Sequence, residues 1–200
     1  CNQQMSLSAI VIGIVPNEID FTLKSFEGTG KYIDEIIVVH SCQELKVDST
    51  KTNGKNHPNV KIYRTKKLGI CAAFNFGLSK ASSEYVVFVN SGDELILEGL
   101  ISAKRLLATS PDVISSAVSI YSPNTNTSIM WTGLDPKGRI DQIHQQGSVY
   151  RKSLHEIHGT YSSLFKCAMD TAFFSAAASV RIVFSSPPYW RNWIPENQCS

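Results

Sequence analysis

Asn90-Ser91-Gly92-Asp93-Glu94 sets two adjacent carboxylates behind a glycine, directly after the apolar run Tyr85-Val86-Val87-Phe88-Val89. A run that short, rich in β-formers and ended by a turn, predicts a strand buried on both faces. Such strands belong to parallel sheets covered by helices. In open α/β sheets ligands sit beyond the carboxyl ends of the strands, so 90–93 is the first place to look for chemistry. The same stretch also fits a strand followed by a plain polar turn, with Asp93 as a turn cap. Other reactive side chains are scattered. Cys1, Cys42, Cys71, Cys167 and Cys199 include no CxxC pair, so neither a zinc knuckle nor a disulfide framework is signalled. Reduced thiols in a cytosolic enzyme are the simpler reading. Cys71 has no basic neighbour in sequence to lower its pKa and reads as a packing residue. His155 and His158 stand three apart, but no third metal ligand accompanies them, and both read as surface residues.

The elements that must position these residues follow from periodicity. With 42% hydrophobic and 18% charged residues, the chain of 200 residues is globular rather than disordered, and long enough for one domain with a sizeable core. A net charge of +2 gives no field that would argue for nucleic acid. No apolar run approaches the roughly 20 residues of a membrane span. Strands are predicted over 8–15, 33–40, 60–64 and 85–89, with a helix after Asn17 carrying Ile19, Leu23 and Phe26, and another over 69–81. Residues 41–58 read as a polar surface loop. That alternation predicts an α/β fold, a doubly wound, mostly parallel sheet with helices on both faces. Further on, the pattern predicts helices over 98–109, 152–158 and 165–179. It predicts strands over 113–121 and 128–132 as a hairpin, and over 147–151 and 180–184. The second half is thus α+β in character. No linker divides the chain, which reads as a single domain over 5–200. Met5 reads as a native start or the chain as excised from something longer, and the end at Ser200 reads as a truncation.

Taken in order, these segments resemble glycosyltransferase family 2, with the GT-A fold. The resemblance rests on the strand and Pro/Asn/Glu turn at 10–18 and on Glu35-Ile36-Ile37-Val38-Val39. It continues with Gly69-Ile70, Asn75-Phe76-Gly77-Leu78 and Ala81, then with Glu84-Tyr85-Val86-Val87-Phe88 and its acidic turn. Later come His144-Gln145 leading into Tyr150-Arg151-Lys152-Ser153-Leu154, Gly159-Thr160-Tyr161, and Asp170 on the next helix. The tail at 197–200 is weakly similar to a Gly-Gly-x-Ser segment of some relatives. The set covers nearly the whole chain. Asn-Ser-Gly-Asp in place of Asp-x-Asp-Asp resembles a colanic-acid/exopolysaccharide-type branch.

The resemblance implies an inverting transfer from a nucleotide-sugar donor, a UDP-sugar above all, to a hydroxyl of a saccharide or lipid-linked acceptor in polysaccharide biosynthesis. The nucleotide-binding half is 5–94 and the smaller acceptor-binding half 95–200. Val15, Pro16, Glu18 and His40 would hold the nucleoside, with Asn75, Asn90 and Ser91 also on the nucleotide-sugar. Asp93 would ligate Mn²⁺ or Mg²⁺, a hard cation that offsets diphosphate charge. Asp170 would be the base taking the acceptor proton. Trp131, Tyr150, Tyr161, Trp190 and Trp193 are candidates to stack on sugar rings, or else core and edge aromatics. The aromatic stretch at 187–193 is a place for contact with an acceptor or a membrane surface. The expected location is the cytoplasm, with peripheral membrane association.

Several positions depart from the family pattern. Asn90 and Gly92 stand where acidic residues are usual, His40 where an Asp usually meets the base, and Ala72 where an acidic residue often precedes the Asn. A neutral His can still hydrogen-bond a pyrimidine edge. Asn75 could instead bond a neighbouring loop. His144 is one residue out of step with Tyr150-Arg151, which requires a bulge. Asp170 lacks an acidic partner. A degenerate, non-catalytic relative that binds a nucleotide, saccharide or protein therefore stays open beside the enzyme. A nucleotidyltransferase is disfavoured, because Pro16-Asn17-Glu18-Ile19-Asp20 has neither the Gly nor the Lys of a phosphate loop.

Overall fold

The computed structural model describes residues 5–43, 45, 58–66, 69–122, 127–131, 143, 145–165, 168–177, 180–185 and 190–193. His144, 187–189, the tail 197–200 and the side chains of Trp131, Trp190 and Trp193 lie outside that description. The first half alternates as expected: β1 (Leu7–Gly13), α1 (Pro16–Lys24), β2 (Glu35–His40), β3 (Asn59–Arg64), α2 (Ile70–Lys80) and β4 (Tyr85–Asn90). The second half contributes β5 (Glu94–Leu95), α3 (Leu97–Leu107), β6 (Val113–Ser116), β7 (Val118–Ser122), β8 (Thr127–Trp131), β9 (Ser148–Arg151), α4 (Leu154–His158), α5 (Met169–Ala176), β10 (Ile182–Ser185) and β11 (Trp190–Trp193).

A seven-stranded sheet runs in the order β10-β6-β9-β4-β1-β2-β3. Strands β3, β2, β1 and β4 are parallel neighbours, β9 runs against both β4 and β6, and β10 is parallel to β6. Strand alternation sorts the core onto two faces. Leu7, Ala9 and Val11 of β1 and Val87 and Val89 of β4 pack with Ile19 and Leu23 of α1 and Leu100 and Leu107 of α3. Ile10, Val86 and Phe88 point the other way, into a cluster with Phe74 and Leu78 of α2 and Phe173 and Phe174 of α5. Each such Val, Leu, Ile or Phe side chain contributes about 1.5–3 kcal/mol by leaving water. Helices on both faces leave the carboxyl ends of β1, β2 and β4 as the open rim. Among the described residues no helix is long and apolar enough to cross a membrane.

A second sheet, β5-β11-β7-β8, forms beside the first. Its β7–β8 pair is the expected antiparallel hairpin. The stretch 113–121, expected as one strand, is broken at Ala117, and the chain passes there from the large sheet to the small one. Gly147 explains the break. It has φ +83°, and a Cβ there would lie 2.9 Å from the Ser116 carbonyl oxygen. Ser116 N–H donates to Gly147 O at 2.8 Å. This close approach bends the chain where the apolar pattern carries no breaker. Trp190–Trp193 is a strand, pairing parallel to β7 and antiparallel to β5. The helix expected over 165–179 spans only Met169–Ala176.

Candidate active site

The turn after β4 is laced onto β1 and α1. Ser91 N–H donates to Ile12 O at 2.8 Å. Gly92 N–H donates to Thr22 Oγ1 at 2.9 Å, and the Thr22 hydroxyl donates to Asp93 O at 2.7 Å. Gly92 has φ +92°, a conformation side chains rarely adopt, and a Cβ there would lie 3.8 Å from Glu18 Cδ. The acidic residue missing at 92 thus has a backbone cause, and Glu18 occupies the neighbouring space instead. The Ser91 hydroxyl donates to Glu18 Oε2 at 3.3 Å.

Asp93 is 8% exposed. Burial pushes its carboxyl up to about 7, and the Glu18 charge adds to the rise. Among the described residues no cluster of three or more His, Cys, Asp or Glu could cage a metal. The donor chemistry still fits a hard cation that keeps waters and takes phosphate oxygens, because such ions need only one or two carboxylates from the protein. Glu18 and Asp93 lie near enough for their charges to interact, and the Ser91 hydroxyl bonds Glu18 beside them.

Two adjoining clefts open at the strand ends. The first, about 310 Å³, is walled by Ile12–Ile14 of β1 and its exit, by Val39, His40 and Ser41 at the end of β2, by Ile70 and Ala73 of α2, and by Asn90 and Ser91. His40 is 5% exposed, and its Nδ1 has no hydrogen-bond partner among the described residues. Burial, reinforced by the Arg64 charge, lowers its pKa and keeps the ring neutral. Val15 and Pro16 are exposed next to Ile14, where Val15 caps α1. The second cleft, about 250 Å³, is lined by Ile70, Phe74, Asn90, Gln145, Gln146, Met169 and Asp170. Asn90 and Ile70 belong to both.

Asp170 is half-buried at the start of α5. Its Oδ1 accepts from Thr171 N–H at 2.9 Å and its Oδ2 from Gln145 N–H at 3.2 Å. The structure thus brings His40, Asn90, Ser91 and Asp170 to one connected rim, with Glu18 at its edge. Asp93 and Asn75 line neither cleft. The Asn75 amide donates to Tyr161 O at 2.8 Å and accepts from Tyr161 N–H at 3.0 Å. Its side chain bonds the neighbouring loop, the alternative weighed for it above.

Two aromatic candidates for sugar stacking are core residues. Tyr150 is fully buried and Tyr161 is 3% exposed, and their hydroxyls bond each other at 2.8 Å. His155, read as a surface residue, is 8% exposed. Its Nε2 lies 2.9 Å from the Tyr150 hydroxyl, its Nδ1 lies 3.0 Å from Gly159 O, and its ring stacks on Phe173 at 4.1 Å. Burial pushes its pKa down to about 4, so it stays neutral. Its periodicity within a five-residue helix gave no sign of this, because the covering residues come from α5. Gln145 and Gln146 were legible only as part of a family segment. Nothing local marks Gln145 as a cleft residue, since its placement depends on Asp170, 25 residues later.

The sequence profile described as "Glycosyl transferase family 2" matches residues 12–171. The chain belongs to glycosyl transferase family 2. No curated protein matches it. Among solved structures, residues 1–349 of S. aureus TarS share the fold, with a TM-score of 0.74 at 22% identity over 94% of this chain and 60% of that one. The same TarS fragment in complex with UDP-GlcNAc gives 0.72 at 22% identity, over 97% and 60%. The longer S. aureus TarS structure gives 0.70 at 22% identity, over 95% and 37%. This family 2 chain therefore spans less than two thirds of the length of each. The likeness bears out the mixed α/β fold with a mostly parallel sheet.

Proposed function

We propose that this family 2 domain transfers a sugar, with inversion, from a UDP-sugar to a hydroxyl of a saccharide or lipid-linked acceptor in polysaccharide assembly. The observation that carries the reading is the pair of adjoining clefts that share Asn90, one walled by His40 and the other by Asp170. The first cleft suits a nucleoside: apolar walls for the base, and a neutral His40 whose Nδ1, without a partner among the described residues, would meet a pyrimidine edge. Val15 and Pro16 border its mouth. Ser91 and Asn90 lie where the diphosphate passes towards the second cleft. Glu18 and Asp93 would hold Mg²⁺ or Mn²⁺, which supplies charge neutralisation of the diphosphate. Asp170 takes the acceptor proton from across the sugar. The two backbone N–H groups on its carboxylate fix its orientation. An acceptor carried on a lipid would bring the domain to a membrane surface peripherally. The complex of TarS with UDP-GlcNAc supports a UDP-sugar as the donor class.

Calorimetry with UDP, with and without Mn²⁺, tests the donor half of the reading. Donor hydrolysis and transfer by Asp170→Asn test the rest. The variant should bind UDP as the wild type does and turn over about 10²–10⁴-fold more slowly. Wild-type turnover by Asp170→Asn would remove Asp170 from the base role. A second reading, a domain that binds nucleotide without metal and without turnover, is favoured by the burial of Asp93. It predicts UDP binding that is indifferent to Mn²⁺.

A further inference from the structure

A buried chain of polar contacts ends at Gln145, whose N–H donates to the carboxylate of Asp170. It begins at the Gly159 carbonyl, 3.0 Å from His155 Nδ1. His155 Nε2 lies 2.9 Å from the Tyr150 hydroxyl, which bonds the Tyr161 hydroxyl at 2.8 Å, and that hydroxyl bonds the Gln145 side chain. Around the chain the core is built of Phe74, Leu78, Phe88, Phe173 and Phe174. Phenylalanines in place of both tyrosines would fill the same space with no hydroxyl to satisfy, so packing alone does not call for the chain. Counting protons fixes its direction. A carbonyl only accepts, so His155 carries its proton on Nδ1. Burial keeps the ring neutral, so Nε2 accepts and Tyr150 must donate to it. Burial also raises the pKa of both phenols and keeps them protonated, with the Asp170 charge adding at Tyr161. The Tyr150 oxygen then accepts from Tyr161, and the proton for the last contact has to come from the Gln145 amide. With Oε1 toward Tyr161 the chain is one proton short, and Nε2 is buried with no partner among the described residues. A half-turn of the carboxamide repairs both.

We propose that His155 is a positioning residue for Asp170: the proton on its Nδ1 directs the chain through Tyr150 and Tyr161, and the chain anchors Gln145 so that its N–H stays on the Asp170 carboxylate. This rests on the proposed function, since it takes Asp170 as the base. Gln145 lies in the turn before β9, where its carbonyl accepts from Ser148 N–H at 3.1 Å. Its side chain ties that turn to the core. The core end of the tie is itself held. Asn75 of α2 grips the Tyr161 main chain with two hydrogen bonds. Phe173, one turn beyond Asp170 on α5, stacks on the His155 ring at 4.1 Å. Asp170 is thus located against the same ring twice, through its own helix and through the chain that ends at the Gln145 N–H. A buried network of this kind fixes geometry when every member is satisfied.

The experiment measures binding and hydrolysis of UDP-glucose, UDP-N-acetylglucosamine and UDP-galactose by the wild type, Tyr150→Phe, Asp170→Asn and the double variant. In hydrolysis, water takes the acceptor's place and gives its proton to Asp170. Phenylalanine keeps the ring and cuts the chain at its middle. Tyr150→Phe should bind the donor within about threefold of the wild type and turn it over about 10- to 100-fold more slowly, the effect of a small misplacement of a reacting group. Added to Asp170→Asn, the same change should cost less than about twofold, because no base is left to misplace. A role in packing alone would cost the same in both backgrounds. Tyr161→Phe cuts the next link and should repeat the pattern if Tyr150→Phe folds poorly. In the wild type at pH 7, the ring ¹⁵N shifts of His155 should show one proton, on Nδ1. Equal losses in both backgrounds, wild-type turnover by Tyr150→Phe, or a His155 proton on Nε2 overturns the inference. Wild-type turnover by Asp170→Asn, or a wild type that hydrolyses none of the three donors, overturns the proposed function on which the inference stands, a result distinct from the others.

Discussion

Two buried titratable side chains, Asp93 and His155, pull the stability of this protein in opposite directions as pH changes. The Asp93 carboxyl rises from an ordinary 3.8 to about 7. The folded state therefore holds a proton that the unfolded chain has lost, and stability falls as pH climbs from about 4 to about 7. His155 drops from 6.5 to about 4. The folded state refuses a proton that the unfolded chain takes up, so stability falls as pH drops from about 6.5 to about 4. The windows overlap, and the wild type should show a shallow profile there. Asp93→Asn keeps the neutral form at every pH. It should match the wild type near pH 4 and exceed it above pH 7 by on the order of 4 kcal/mol. Urea unfolding across pH 4–8 should then show a slope from His155, with a same-signed contribution from His40, rising up to about pH 6.5. If Asp93 also ligates the cation, Mn²⁺ must displace its proton below pH 7. The Mn²⁺-induced rise in Tm should be larger at pH 8 than at pH 5.5. A pH-independent Mn²⁺ effect would take Asp93 out of the metal site.

At the scale of elements, Glu35 is the joint between three strands and a turn. It is 3% exposed on β2. Its carboxylate accepts from Ser8 Oγ of β1 at 2.6 Å, from Lys61 Nζ of β3 at 2.6 Å, and from Ser82 N–H at 2.6 Å in the turn before β4. Burial alone would raise its pKa, but the bonds from Lys61, Ser8 and Ser82 outweigh it and hold the carboxyl at about 2. Glu35→Ala removes the acceptor and leaves buried donors without a partner. It should cost about 3–5 kcal/mol at pH 7. The deficit should shrink as pH falls from about 4.5 towards 2, where the wild type loses the same contribution. Thermal or urea unfolding at pH 7 and pH 3 checks both. The elements Glu35 joins were also the legible ones. Strands β1, β2 and β4 are continuous apolar runs because helices bury both their faces, and α2 shows its apolar stripe because only one side is buried. His40, Asn90 and Ser91 could be placed at the rim because strand ends in such sheets all face one way. Strands β5 and β11 were not legible, since a two-residue and a four-residue segment owe their strand form to pairing with remote chain. The same holds for the burial of Tyr150, Tyr161 and His155, which α2 and α5 enforce from a distance.

At the scale of the whole molecule, the two sheets are joined by a chain crossing that depends on one glycine. The chain leaves the large sheet after Ser116, crosses at Ala117 and enters the small sheet at Val118. Gly147, just before β9, presses against that crossing. Beyond the Ser116 carbonyl, a Cβ at 147 would meet Val118 Cγ2 at 2.9 Å. The Gly147 carbonyl also accepts from Ser116 Oγ at 3.1 Å, besides the bond from Ser116 N–H. Two penalties therefore fall on Gly147→Ala: the left-handed φ of +83° costs a non-glycine residue about 1–2 kcal/mol, and the clash forces the crossing to shift. The combined loss should reach roughly 2–4 kcal/mol, a fall in Tm of about 4–16 °C for a chain of this size. The damage should be confined to the side of the molecule that carries the second cleft, because Gln145 and Gln146 immediately precede the glycine and line it. The first cleft is built mainly on β1, β2 and α2, away from the crossing, and shares with the second only Ile70 and Asn90. Gly147→Ala should accordingly keep its affinity for UDP at temperatures below the lowered Tm while losing affinity for UDP-sugars. Equal losses for UDP and UDP-sugars would mean that the two halves of the rim are mechanically one piece, and that the crossing sets the geometry of the nucleotide cleft as well.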